Sequence, residues 1–225
     1  MVDLRMYMRA HLYFALILSA AFCLTLHGQT TENVKGLTAR PTPADYQSAA
    51  KIGQYTLAAD FDGHGVPTSD GVYAHEDYIV FEVALYGPAG SHLPLQYEDF
   101  SLRINGKKSP TPAQAYTFVF KSLKNPDWEA TLDPVHKESS SGINTGGGGR
   151  GAAADSGPPP PPKMPLDVER KMELRVQKAA VPEGDRPLPV AGLIFFSYSG
   201  KTKGIHSMDL IYSGPAGKAT IPMQP

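Results

Sequence analysis

The chain has one cysteine, Cys23, in 225 residues. An internal disulfide is therefore impossible, and zinc sites built from several thiolates are excluded. Charge is scarce too: only 19% of residues are charged, and 21 Lys and Arg against 22 Asp and Glu leave a formal net charge of −1. No basic stripe runs along the chain, so a nucleic-acid footprint, which needs clustered Lys and Arg, is not expected. Histidines 64, 75, 92, 136 and 206 are scattered, with no His-Glu-x-x-His or His-x-His pair to hold a catalytic zinc. Ser197-Tyr198-Ser199 lies near Lys201, but no G-x-S-x-G elbow surrounds it. The run GGGGRG lacks the Gly-Lys-Ser/Thr ending of a phosphate loop. Glu98 and Asp99 are adjacent, so on an extended strand they point to opposite faces and cannot work as an acid–base pair. No catalytic constellation emerges, and the expectation is a protein that is not an enzyme and needs no cofactor.

No apolar run is long enough to cross a bilayer comfortably. The longest, 12–26, has about fifteen residues, short of the roughly 20 a spanning helix needs. It follows Arg5 and Arg9 and gives way to His27, Gly28 and Gln29, the grammar of a secretory signal peptide over 1–28. Export to the periplasm or beyond is the expectation, with an uncleaved N-terminal anchor as the alternative. Cys23 follows Leu18-Ser-Ala-Ala-Phe, which departs from a lipoprotein signal at Phe22, where a small residue belongs. Removal of the leader leaves no thiol at all.

What is present is β grammar. After a flexible N-terminal arm at 29–50, Tyr55, Leu57, Ala59 and Phe61 alternate with polar or small residues, the period of a half-buried strand. The stretch DFDGHGVPTSDG is expected to break it as a loop. YIVFEVALY at 78–86 is apolar on both faces and predicts a central strand. Phe100, Leu102 and Ile104 form a one-sided strand that runs into Asn105-Gly106, the residue pair of a type I′ hairpin turn. Tyr116, Phe118 and Phe120 fit a returning strand or a short helix equally well. The sequence from 121 to 134 reads as irregular, with Trp128 tucked against the core.

The segment 137–165 is different in kind. Its Gly-rich half and the run of five prolines offer almost nothing to bury, which predicts a disordered linker with an extended proline stretch. From 167 to 180 Val168, Met172, Val176 and Ala179 share one face at helical spacing, predicting one short surface helix docked on a sheet. Three strands follow: LIFFSY at 193–198, apolar on both faces; Met208, Leu210 and Tyr212; and Ala219, Ile221 and Met223. Neither half has enough strands to cover its own doubly apolar one. The expected solution is one all-β antiparallel sandwich, its first half at 51–136 and its helix and closing strands at 166–225, with the linker as an insertion. Loop-closure cost rises only logarithmically with length, so such an insertion is tolerable.

YIVFEVALYGPAGSHLPLQYEDFSLRINGKK and PVAGLIFFSYSGKTKGIHSMDLIYSGPAGKATIPM together resemble the two ends of a bacterial immunoglobulin-like extracellular domain family of unknown function. The resemblance implies an Ig-like β-sandwich and brings no established activity or site.

Two groups of residues remain as site candidates. Lys201, Lys203 and His206 lie on a basic loop between two strong strands, at an end of the sandwich where such domains bind. Asp60 and Asp62 match positions 1 and 3 of a calcium loop, with Gly65 at position 6. His64, however, offers nitrogen where oxygen is wanted, and Gly71 stands where the closing Glu belongs. An Asp- and Gly-rich turn is the simpler reading. The functional expectation is an exported, non-catalytic binding or scaffold module of the cell envelope, with an envelope protein or glycan as partner. The alternatives are a structural envelope protein with a spacer arm and, behind it, a β-sandwich hydrolase.

Overall fold

The computed structural model describes residues 34–131 and 163–225. The signal-peptide reading of 1–28, Cys23 and the Gly- and Pro-rich residues 132–162 lie outside the described residues. The architecture is β-rich and antiparallel. β1 (Ser48–Ile52), β2 (Tyr55–Gly63), β5 (Tyr78–Tyr86) and β10 (Val190–Ser197) form one sheet in the order β1-β2-β5-β10. β7 (Phe100–Ile104), β8 (Thr111–Pro112), β11 (Met208–Gly214) and β12 (Gly217–Met223) form a second, in the order β12-β11-β7-β8. Two ribbons complete the strands: β3 (Gly65–Thr68) with β4 (Gly71–Ala74), and β6 (His92–Leu95) with β9 (Gly184–Pro187).

The two ends of the chain interleave. β10 pairs with β5 from Val190↔Leu85 to Ser197↔Tyr78, and β11 pairs with β7 from Met208↔Ile104 to Tyr212↔Phe100. Both sheets feed one hydrophobic cluster. Leu57, Ile79, Phe81, Val83, Ile194 and Phe196 come from the first sheet; Phe100, Leu102, Leu210, Tyr212 and Ile221 come from the second. Phe81 and Phe196 meet edge to face with ring centroids 5.6 Å apart, a favoured aromatic geometry. Most of the alternating residues read from the sequence are buried here, while Tyr55, Phe61 and Ala219 are partly buried and pack against the cluster.

The doubly apolar strands β5 and β10 are covered on their second face as well. α2 (Leu166–Ala179) lays Met172, Val176 and Ala179 against Val80, Leu193 and Phe195, together with Val66, Tyr73 and Val119. Asp167 and Glu169 in its first turn and Lys178 in its last suit the helix dipole. Arg175 fastens the helix to the β3–β4 ribbon, pairing with Asp70 at 2.8 Å and donating to the Tyr73 hydroxyl at 3.0 Å.

Further along the same face, Ala58, Ala84 and Ala191 are register partners across three adjacent strands. Their methyl groups leave a shallow row into which Tyr46 sinks, with Ala39 and Tyr86 beside it. The lead-in is thus anchored through Leu37, Ala39 and Tyr46 instead of trailing free. Arg40 sits 4.2 Å from the Tyr46 ring centroid, and its carbonyl accepts from the Tyr86 hydroxyl at 2.7 Å.

Several local expectations are corrected. The DFDGHGVPTSDG stretch continues β2 to Gly63 and then forms the β3–β4 ribbon, because Val66 and the following Tyr73 pack under the helix. Of the two readings of Tyr116 to Phe120 the helical one holds, as the 3₁₀ turns Tyr116–Phe118 and Phe120–Ser122, and α1 (Pro126–Thr131) occupies the segment expected to be irregular. Trp128 is only half-buried and belongs to none of the core clusters. No helix among the described residues is long and apolar enough to cross a membrane.

Candidate functional site

The site grows from an irregularity in β2. The β2–β5 register shifts between Phe61 and Gly63, and Gly63 takes φ +62°, a left-handed conformation that glycine adopts freely. The next residue, His64, is swung between two parts of the molecule. Its Nδ1 lies 2.8 Å from the Tyr78 carbonyl at the start of β5, and its Nε2 lies 3.0 Å from the Gly200 carbonyl. Carbonyls only accept, so each contact needs an N–H from the ring. A neutral imidazole supplies one and the imidazolium both. The His64 ring also lies beside that of Tyr198, whose hydroxyl donates to the Lys201 carbonyl at 3.2 Å. The incoming end of the 198–207 loop is fixed in this way.

Asn105 fixes the outgoing end. Asn105 and Gly106 have φ of +51° and +68°, and Lys107 N–H bonds the Ile104 carbonyl at 3.1 Å. The φ > 0 pair expected of the Asn-Gly turn is there. The tight hairpin is not, since β8 is only two residues long and starts at Thr111. Released from that role, Asn105 reaches across. Its Nδ2 donates to the Gly204 carbonyl at 2.8 Å, and its Oδ1 accepts from His206 N–H at 2.7 Å and Ser207 N–H at 3.2 Å. Between the two clamps Thr202–Gly204 closes a 3₁₀ turn, and Ile205 drops into the core, 2% exposed.

The pinned loop meets the β2 irregularity in an open cleft of about 630 Å³, lined by Phe61, Asp62, Gly63, Thr202, Lys203 and Ile205 together with Pro225. Lys203 and Asp62, from the two separate groups of candidates, thus share one cleft. Lys201 and His206 are exposed on the same loop.

Asp60 goes elsewhere. It pairs with Arg40 at 2.5 Å and accepts from Gln47 N–H, and Arg40 also reaches Glu82 at 3.3 Å. Asp62 is pushed up to about 7, first by burial and then by the negative charges of Glu82 and Asp60; the Glu82 N–H and Arg40 pull the other way. Its Oδ2 is buried and has no hydrogen-bond partner. The two carboxylates therefore sit on a strand with different tasks instead of converging in a loop. Among the described residues no group of three or more His, Cys, Asp or Glu side chains is placed to hold a metal ion.

Sequence reasoning treated His64 as a misfit in a calcium loop and Asn105 as a turn residue; it missed both as clamps. Their partners are remote in sequence, so no local pattern marks them. Matches were sought among family models, curated proteins and solved structures, and none was found.

Proposed function

We propose that this chain is an exported, non-catalytic binding module of the cell envelope and that the 198–207 loop with its cleft is the ligand-facing surface. The supporting observation is the two-sided clamping of an exposed, polar loop by His64 and Asn105. A loop already held in one conformation loses less entropy when it binds, and presenting such loops from a rigid sheet scaffold is how many binding modules work. An Ig-like sandwich is part of this reading, supported by two antiparallel sheets that share a core and carry the loop at an end. The strand order differs from the ABED and CFG sheets of immunoglobulin domains: β2 and β5, consecutive among the strands of the two main sheets, pair within one sheet, whereas strands B and C lie in opposite sheets, so the likeness is one of layering. Export rests on the composition of 1–28, and the partners in view are an envelope protein or glycan.

The test has two arms. Cells producing the full chain with a C-terminal tag are fractionated, and a leader-shortened chain outside the cytoplasm is expected; retention inside at full mass rejects export. The tagged chain is then used to capture material from envelope extract. Lys201→Ala with Lys203→Ala should lose the captured component while melting normally, and undiminished capture rejects the loop as the surface.

A further inference from the structure

A chain of net charge −1 hides a basic patch that only the fold assembles. Asn105 ties its own turn to Gly204, His206 and Ser207, which brings Lys107 and Lys108 to the same end as Lys201, Lys203 and His206. None of the five is more than three residues from a member of this hydrogen-bond knot, so their backbones lie within about 12 Å of it. Four lysines and a histidine are thus gathered around one hydrogen-bond knot, where an extended ligand can meet several of them at once. All five side chains are exposed, and none forms an ion pair among the described residues. Of the acids beside the loop, Asp209 is paired with Arg103 at 3.4 Å, and burial holds the Asp62 carboxyl up to about 7, so that it is only partly ionised at neutral pH.

We infer that this patch docks an anionic polysaccharide, its carboxylate or sulfate groups spread along the chain of sugars. The inference rests on the binding-module reading and names the partner's class. Ser109, Thr202 and Ser207 lie among the basic residues and offer hydroxyls to sugar hydroxyls. An anionic membrane fits less well, because among the described residues the exposed large apolar side chains are Val72, Phe118 and Leu166, none of them in the patch. A nucleic acid fits less well too, because the patch has no exposed Phe, Tyr or Trp ring on which a base could stack.

The tagged chain, purified as cells process it, is run by affinity electrophoresis through gels holding polygalacturonate, dextran sulfate or neutral dextran. Retardation by at least one of the two polyanions and none by dextran is expected; which polyanion acts separates carboxylate from sulfate recognition. Binding should weaken about tenfold between about 50 and 300 mM NaCl, as screening shortens the reach of each charge. Lys107→Glu with Lys108→Glu, which leaves the knot intact, should weaken binding about tenfold with an unchanged melt. The inference is overturned if neither polyanion retards the chain at low salt, if the Lys107/Lys108 variant is retarded like wild type, or if phosphatidylglycerol vesicles or single-stranded DNA bind and the polysaccharides do not. Should the Lys201/Lys203 variant lose its envelope partner while the polyanions do nothing, the loop reading stands and this inference falls.

Discussion

Asn105 and Gly204, 99 residues apart in the chain, are joined by a 2.8 Å hydrogen bond from the side-chain amide of one to the backbone carbonyl of the other. The bond belongs to a knot in which one asparagine also receives the His206 and Ser207 amides. Few other residues could serve: the φ of +51° favours Asn or Gly, and glycine has no side chain to reach with.

Asn105→Ala should therefore lose the knot and strain the turn together, costing about 2–3 kcal/mol in thermal or denaturant unfolding. Asn105→Gly keeps the backbone conformation at ease and should cost less. In both variants the His206 and Ser207 amides should exchange with solvent faster than in wild type. Unchanged exchange would mean the knot does not hold the loop.

Two titratable groups, Asp62 half-buried and His75 buried, bias stability in opposite directions with pH. Asp62 is raised from 3.8 to about 7, so its favourable contribution is complete below about pH 4 and is lost as pH rises through about 7. Asp62→Asn should raise the melting temperature at pH 8, with the gain shrinking toward pH 5. His75, 1% exposed, accepts from Asp77 N–H at 3.0 Å and faces the Val119 carbonyl at 2.8 Å. Burial holds its pKa below the ordinary 6.5, so its contribution is present above 6.5 and is lost as pH falls through the lowered value. His75→Gln should flatten the acid side of the stability profile, and a profile unchanged by either substitution would contradict these assignments.

Gly192 marks where β10 passes closest to the strand-like stretch after α2. A Cβ there would meet Val181 N at 2.6 Å and Ala180 C at 2.8 Å, while Val181 N–H bonds the Leu193 carbonyl at 2.9 Å. Backbone cannot yield as a side chain can. Gly192→Ala should cost about 3 kcal/mol, read from the urea midpoint, and a wild-type midpoint would contradict the close approach.

The legible parts of this fold were those with a periodic signature. β5 and β10 could be recognised as central because Val80, Ala84, Leu193 and Phe195 make their second faces as apolar as their first. The helix showed itself through Met172, Val176 and Ala179. β1 did not, since Ser-Ala-Ala-Lys-Ile has too little contrast between faces, and its partners are supplied by β2. The β3–β4 ribbon was masked by Gly and Asp residues that spell a loop. As for the site, Lys201, Lys203 and His206 were marked by their charge, whereas Lys107 and Lys108 joined them only through Asn105. A hydrogen bond between residues 99 positions apart leaves no trace in local sequence.

Everything above depends on residues from both sides of 132–162 building one unit, since the cleft takes Asp62 from one side and Lys203 from the other. The direct measurement is to place a protease site within 139–157, cleave the purified chain, and follow size and melting without denaturant. The interleaved pairing of β5 with β10 and β7 with β11 predicts that the two fragments stay together through gel filtration and melt in one cooperative transition. Fragments that part and melt separately would contradict it.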